Sequence, residues 1–225
     1  MAIETEVLAD DRAASRRAAE EIVAAGKRAV AERGSFSLAL SGGKTPWGMI
    51  GLLGDLEEMP WEQTRIYQVD ERVAPPGDEV RNLTHLVQML SIDHQATVRP
   101  MPVTSRDLEM AAAEYEAHLP EEIDLVHLGI GPDGHTASLV PGDFVLEERD
   151  LRVAMTDREY EGYRRMTLTY PALAGARRIL WLVLGEKARE PLAKLLAGDT
   201  SIPAGRVENE HQLVIANQEA MGGEG

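Results

Sequence analysis

The sequence predicts an α/β fold of three-layer, Rossmann-like α/β/α form, with a mostly parallel central sheet and a small additional β-containing part. Stretches with helical apolar spacing alternate with short apolar runs, the pattern of a parallel sheet covered by helices. The run at 123–130 is almost continuously apolar, as a strand buried on both faces is. Glycine turns directly follow several of these runs, so the chain reverses where the strands end.

Residues 10–33 are rich in Ala, Glu and Arg. Ala14, Ala18, Ile22, Ala25 and Ala29 fall on one helical face there, which predicts an opening amphipathic helix ended by Gly34. Residues 36–40 read as a short buried strand running into Ser41-Gly42-Gly43-Lys44-Thr45-Pro46, after which a helical pattern resumes through Leu53. The unit recurs, with 65–69 strand-like, 82–90 helical, 97–103 extended, 108–118 helical and 123–130 a strand. After Gly142 the pattern loosens: 151–155 and 165–169 read as extended, 179–184 as a strong strand, 186–196 as a helix and 212–216 as the last strand. The glycine-rich tail, 221–225, is expected to fray. With no repeat, low-complexity stretch or linker-like break in composition, residues 1–225 read as one domain.

The 38 acidic and 23 basic residues give a net charge of −15, which opposes binding to DNA or RNA. A small anionic ligand is still allowed, because charges more than about 8 Å away are largely screened at physiological salt. The absence of cysteine excludes disulfides, Cys-ligated zinc and thiol nucleophiles. Residues 1–11 carry four acids before the first arginine, unlike a secretory or transit peptide, and no apolar run is long enough to span a bilayer. These features predict a soluble cytoplasmic protein with neither membrane nor nucleic-acid partners.

The Ser41 to Pro46 segment places two glycines between a buried strand and a helix start, where backbone N–H groups and the helix dipole can meet an anion. It lacks Walker A spacing and reads either as a phosphate cradle or as a plain tight turn. Ser41, Lys44 and Thr45 add donors to Gly42 and Gly43. Asp70-Glu71-Arg72 follows a strand, where open α/β sheets place their ligands, although alone the triplet reads better as a solvated loop with a local ion pair. Of the four lysines, Lys44 and Lys187 stand beside glycine turns. A cation in a helix's first turn opposes the dipole and is more easily explained by an anionic ligand than by helix stability. Arg165 adds a further cation at a strand boundary.

Gly129-Ile130-Gly131-Pro132-Asp133-Gly134 matches the letters of the dinucleotide fingerprint G-x-G-x-x-G. Pro132 and the polar residues beside it fit poorly into a turn that must open into a packed helix, so the match is read as coincidental. Read as site chemistry, Asp133 and His135 lie two apart at a strand end, a base with an orienting carboxylate. His127 reads as a packing histidine inside its strand. His85, His94, His118 and His211 have no chemical neighbours, and no histidine pair suggests a metal.

Together these segments resemble the glucosamine-6-phosphate isomerase/6-phosphogluconolactonase family. The resemblance rests on Ser41-Gly42-Gly43 with Thr45-Pro46, Asp70-Glu71-Arg72 with Pro75 and Asn82, and Gly129 to Ser138 with Leu139 and Pro141-Gly142. Arg165 with Thr167-Leu168-Thr169, and Gly185 with Lys187, complete it. The residues after the Asp133-Gly134-His135 triplet, Thr136-Ala137-Ser138-Leu139, lack the Asn-Glu segment of the deaminases and favour the lactonase branch. Lys44, Arg81 and Val140 depart from the family pattern.

What the resemblance implies is hydrolysis of 6-phosphoglucono-1,5-lactone to 6-phosphogluconate without metal or organic cofactor. His135 would be the base, with Asp133 either orienting it or meeting the sugar hydroxyls. Arg72 would face the developing oxyanion or ring oxygen, and Asp70 and Glu71 would shape that side of the pocket. The phosphate would sit on Gly42-Gly43 with Thr45, Arg165 and Lys187. The alternatives are a glucosamine-6-phosphate deaminase and a non-catalytic sugar-phosphate sensor; a nicotinamide enzyme is the reading of the glycine letters alone.

Overall fold

The computed structural model describes residues 3–90 and 98–223. Seven parallel strands form the large sheet, in the order β1-β10-β9-β6-β2-β3-β5. They are β1 (Glu4–Leu8), β2 (Phe36–Leu40), β3 (Thr64–Gln68), β5 (Val98–Arg99), β6 (Leu125–Leu128), β9 (Ile179–Val183) and β10 (Gln212–Asn217). A small antiparallel sheet, in the order β4-β8-β7, comprises β4 (Asp70–Arg72), β7 (Val153–Met155) and β8 (Arg165–Leu168). It is the additional β-containing part expected from the sequence. The helices are α1 (Asp11–Arg33), α2 (Lys44–Gly54), α3 (Asn82–Met89), α4 (Leu108–His118), α5 (Tyr170–Ala174), α6 (Arg189–Leu196) and α7 (Gln218–Met221). None of the helices among the described residues is long and apolar enough to cross a membrane.

Local chemistry sets α1 at both ends. Asp10 accepts a hydrogen bond from the Ala13 amide, and Gly34 closes the helix in the left-handed conformation at φ 78°. The alanine face predicted from spacing is buried, with Ala14, Ala18 and Ile22 at 0% exposure. Alternation along β2 sends Phe36, Leu38 and Leu40 into the core beneath α1 and α2, and Ala39 into the core on the opposite face.

Two expectations are corrected, and one strand was not read from the sequence. Residues 4–8 form an edge strand, although Glu4, Thr5 and Glu6 give it no apolar alternation. A parallel ladder to β10 and a two-pronged ion pair from Arg17 to Glu6, at 2.7 and 2.6 Å, hold it. Asp70-Glu71-Arg72 is no solvated loop but strand β4, largely buried. The helix expected at 186–196 starts as a short 3-10 turn, Glu186–Ala188, before α6. Within 97–103, Thr97 lies outside the described residues and only Val98–Arg99 joins the ladder. The chain passes from β3 to β4, and so from one sheet to the other, through Val69 alone.

His127 stands in β6 at 0% exposure, in register with Leu40 and Leu180, and neither ring nitrogen has a hydrogen-bond partner. Burial pushes its pKa down to about 3. A base depressed in the folded state takes up its proton on unfolding. Its effect on stability is therefore absent above the ordinary histidine pKa near 6.5 and grows as pH falls from there toward about 3. His127→Leu should match or exceed the parent's stability at pH 7.5, and its lead should widen on acidification by up to about 1.4 kcal/mol per pH unit. Urea titrations across that range check this; a difference independent of pH would contradict it.

Candidate active site

The carboxyl ends of β2, β3, β6 and β9 lie at one edge of the large sheet, where open α/β sheets bind ligands. The segments that leave these strand ends share one cavity of about 210 Å³. Ser41, Gly42, Gly43 and Thr45 come from the turn after β2, Asp70 and Arg72 from β4, and Gly131 and His135 from the loop after β6. Arg165, on β8, completes the wall from the small sheet. A larger cavity of about 540 Å³ lies elsewhere, but Glu208 and Glu210 line it without any cationic side chain.

The glycine turn is shaped by close approach. A Cβ on Gly42 would lie 2.1 Å from the Asn82 side chain, and Gly43, at φ 108°, precedes α2 in a conformation that favours glycine. Ser41 lines the same cavity, with its Oγ buried and without a hydrogen-bond partner among the described residues. The side chain of Lys44 is outside the described set.

His135 sits in a loop folded back on itself, with the Gly131 amide donating to the His135 carbonyl at 2.9 Å. A Cβ on Gly131 would come within 2.1 Å of the imidazole, so glycine makes the space that the ring fills. Asp133 Oδ1 lies 2.5 Å from His135 Nδ1 and accepts from the His135 amide at 3.1 Å. Tyr160 Oη donates to Asp133 Oδ2 at 3.4 Å. The hydrogen bond from His135 lowers the Asp133 pKa to about 2, so the carboxylate stays ionised. Asp133 is absent from the cavity lining, and its carboxylate meets the Nδ1 side of the ring. With Nδ1–H donating to Asp133, Nε2 carries the lone pair, and no described residue bonds to it.

Arg72 and Arg165 are directly paired across the β4–β8 ladder. Arg72 Nη1 donates to Asn82 Oδ1 at 2.9 Å and to the Val80 carbonyl at 3.1 Å. Asp70, 6% exposed, accepts from Ser138 Oγ at 2.6 Å and from Asn82 Nδ2 at 3.1 Å. Arg165 is nearly buried, and its Nε has no hydrogen-bond partner. Its guanidinium lies 4.9 Å over the Tyr160 ring and donates to Glu161 Oε2 at 2.8 Å. Arg165 holds the Glu161 carboxyl below the usual carboxylate range.

Two expectations about the site do not match the geometry. Glu71 does not face the cavity. At 0% exposure it accepts from the amides of Arg72 (2.8 Å), Asn82 (2.8 Å) and Leu83 (2.9 Å) and from Gln68 Nε2 (2.9 Å), which caps the start of α3. Arg81, a departure from the family pattern, is its buried counter-charge, with Nε 3.4 Å from Glu71 Oε2. Lys187 is exposed and outside the lining, because Gly185, at φ 82°, turns the chain away and leaves Leu184 at the wall. Asn82, Ser138, Tyr160 and Glu161 belong to the site without having been assigned to it from sequence. Asn82 and Ser138 carried a signal as part of the family pattern; Tyr160 and Glu161 carried none.

The fingerprint letters at 129–134 lack the helix their chemistry needs, since a Thr136–Leu139 bridge comes next instead. His127 is sealed in the core, His85 and His118 bond to backbone carbonyls, and His94 lies outside the described residues. Among the described residues no group of three or more His, Asp or Glu is placed to hold a metal ion.

Fold and cavity together define a small-molecule site walled by two arginines, a glycine turn and an imidazole. The chain belongs to the glucosamine-6-phosphate isomerase/6-phosphogluconolactonase family, which matches residues 9–216. It is 30% identical to a 6-phosphogluconolactonase of Synechocystis, over 98% of each chain. The crystal structure of a 6-phosphogluconolactonase from Thermotoga maritima superposes with a TM-score of 0.84 at 26% identity, covering 95% of this chain and 98% of that one. A monomeric glucosamine-6-phosphate deaminase also superposes with a TM-score of 0.84, at 20% identity, over 98% of this chain and 99% of that one. The fold alone therefore does not separate the two chemistries.

Proposed function

We propose that the chain hydrolyses 6-phosphoglucono-1,5-lactone to 6-phosphogluconate, the second step of the oxidative pentose phosphate pathway, and does so as one functional unit. The observation that carries this reading is the unbonded Nε2 of an Asp133-anchored His135 in the same cavity as Arg72, Arg165 and the Gly42-Gly43 turn. Full-length similarity to a 6-phosphogluconolactonase, and the absence of a glutamate soon after the Asp133-Gly134-His135 triplet, support it over deamination.

In this mechanism the phosphate rests on Arg165, Thr45 and the glycine turn, where charge-assisted bonds are about twice as strong as neutral ones. Nε2 of His135 takes a proton from water as the water oxygen bonds to C1. Arg72 faces the oxyanion that forms there. When the C1 to ring-oxygen bond breaks, the imidazolium returns its proton to the leaving oxygen, and the new carboxylic acid then ionises. Asp133 stabilises the transient imidazolium and fixes its tautomer. Asp70, held by Ser138 and Asn82, presents a carboxylate to the sugar hydroxyls.

The test is proton release from freshly generated lactone, measured against spontaneous hydrolysis. The protein should accelerate it strongly, act far more slowly on the unphosphorylated lactone, and release no ammonia from glucosamine 6-phosphate. Ammonia release would make the protein a deaminase, and ligand binding without turnover would make it a sensor.

A further inference from the structure

The turn at Tyr160–Tyr163 places in the cavity a carboxylate that lactone hydrolysis does not use. Tyr160 and Tyr163 exchange both backbone hydrogen bonds, at 3.0 and 3.3 Å, around two residues of positive φ, Glu161 at 54° and Gly162 at 83°. Such a two-residue hairpin favours Asn, Asp or Gly at its first central position, and a glutamate is a costly choice there. What the glutamate gains is reach. Its Oε2 lies 2.8 Å from Arg165 Nη2 and 3.5 Å from Arg72 Nη2, both lining the cavity.

Two like charges directly opposite each other on an antiparallel pair destabilise the sheet unless an anion lies between them. Arg72 and Arg165 are such a pair, and in the free protein Glu161 is that anion. The two sides of the contact are unequally fixed. The Arg165 side chain is 3% exposed and packed over Tyr160, whereas the Glu161 side chain is 61% exposed. Arg165 Nη2 also donates to the Tyr160 carbonyl at 3.1 Å, while its Nε is buried and unbonded.

We propose that Glu161 is an internal competitor for the anion seat: it holds Arg165, and at longer range Arg72, in the empty enzyme and must be displaced from Arg165 by the substrate's phosphate, so that it sets phosphate affinity and tempers the preference for phosphorylated ligands. This deepens the lactonase reading, since it rests on that side of the cavity receiving the phosphate. A competitor of this kind weakens every ligand that needs the seat by the same factor. It also hastens departure of a phosphorylated product.

The experiment uses Glu161→Gln and Glu161→Asn, the second of which also suits the left-handed turn. Calorimetric titration with inorganic phosphate should show about two- to fivefold tighter binding in both variants, the range expected for losing one partly exposed competing ion pair. KM for the phosphorylated lactone should fall by a similar factor. Unchanged or weaker phosphate binding in both variants would overturn the proposal. A gain in the Asn variant alone would still support it, with the Gln variant limited by its turn. Phosphate titration needs no turnover, so failure of the lactonase reading would appear separately, as absent hydrolysis by the parent.

Discussion

Replacing His135 with alanine is expected to lower kcat/KM for lactone hydrolysis by about 10²- to 10⁴-fold, the usual contribution of a positioned general base. Phosphate affinity should be little changed, because the imidazole touches Asp133 and Gly131 and makes no contact with Arg72 or Arg165. The loss would then fall on kcat rather than KM, as for an interaction made chiefly in the transition state. Initial-rate kinetics corrected for spontaneous hydrolysis, with phosphate calorimetry on the same protein, checks both halves. Full turnover in the variant would remove His135 from the mechanism.

The second large effect falls on stability. Glu71→Ala deletes a fully buried carboxylate that serves three backbone amides, a glutamine and Arg81. Removing one partner of a buried ion pair costs about 3–5 kcal/mol because the other charge is left uncompensated. The Arg81 side chain, 6% exposed, would be that charge. Urea unfolding should show a drop of this size, and α3 should loosen with loss of the Asn82 contact that aims Arg72. A drop below about 1 kcal/mol would mean that the start of α3 is held by something else.

Glu71 also shows where reading the sequence stopped short. Elements built from local signals were legible: the alanine face of α1 with its Asp10 and Gly34 ends, the apolar run of β2, and the glycine turns that mark the cavity's edge. The Ser41, Asp70, Asp133 and Arg165 segments were each visible as chemistry at strand ends, and the cavity joins them. Three charged residues in succession, by contrast, carry no local sign of burial. Glu71 is buried because the amides that start α3 arrive from elsewhere in the chain. Edge strand β1 has no apolar period, because a strand at a sheet edge can be charged and still complete a ladder. Glu161 was invisible for a third reason: its meaning lies in two arginines that become neighbours only when β4 pairs with β8.

The passage between the two sheets through Val69 has a consequence for the rigidity of the cavity. The Val69 amide donates to the Leu40 carbonyl at 3.1 Å, and its carbonyl accepts from the Leu168 amide at 2.8 Å, so this joint is a splice and not a hinge. The glycine turn and the catalytic loop belong to one side of the splice, the paired arginines to the other. Their spacing is fixed by backbone hydrogen bonds on both sides of a single residue, with no loop between the sheets to take up slack.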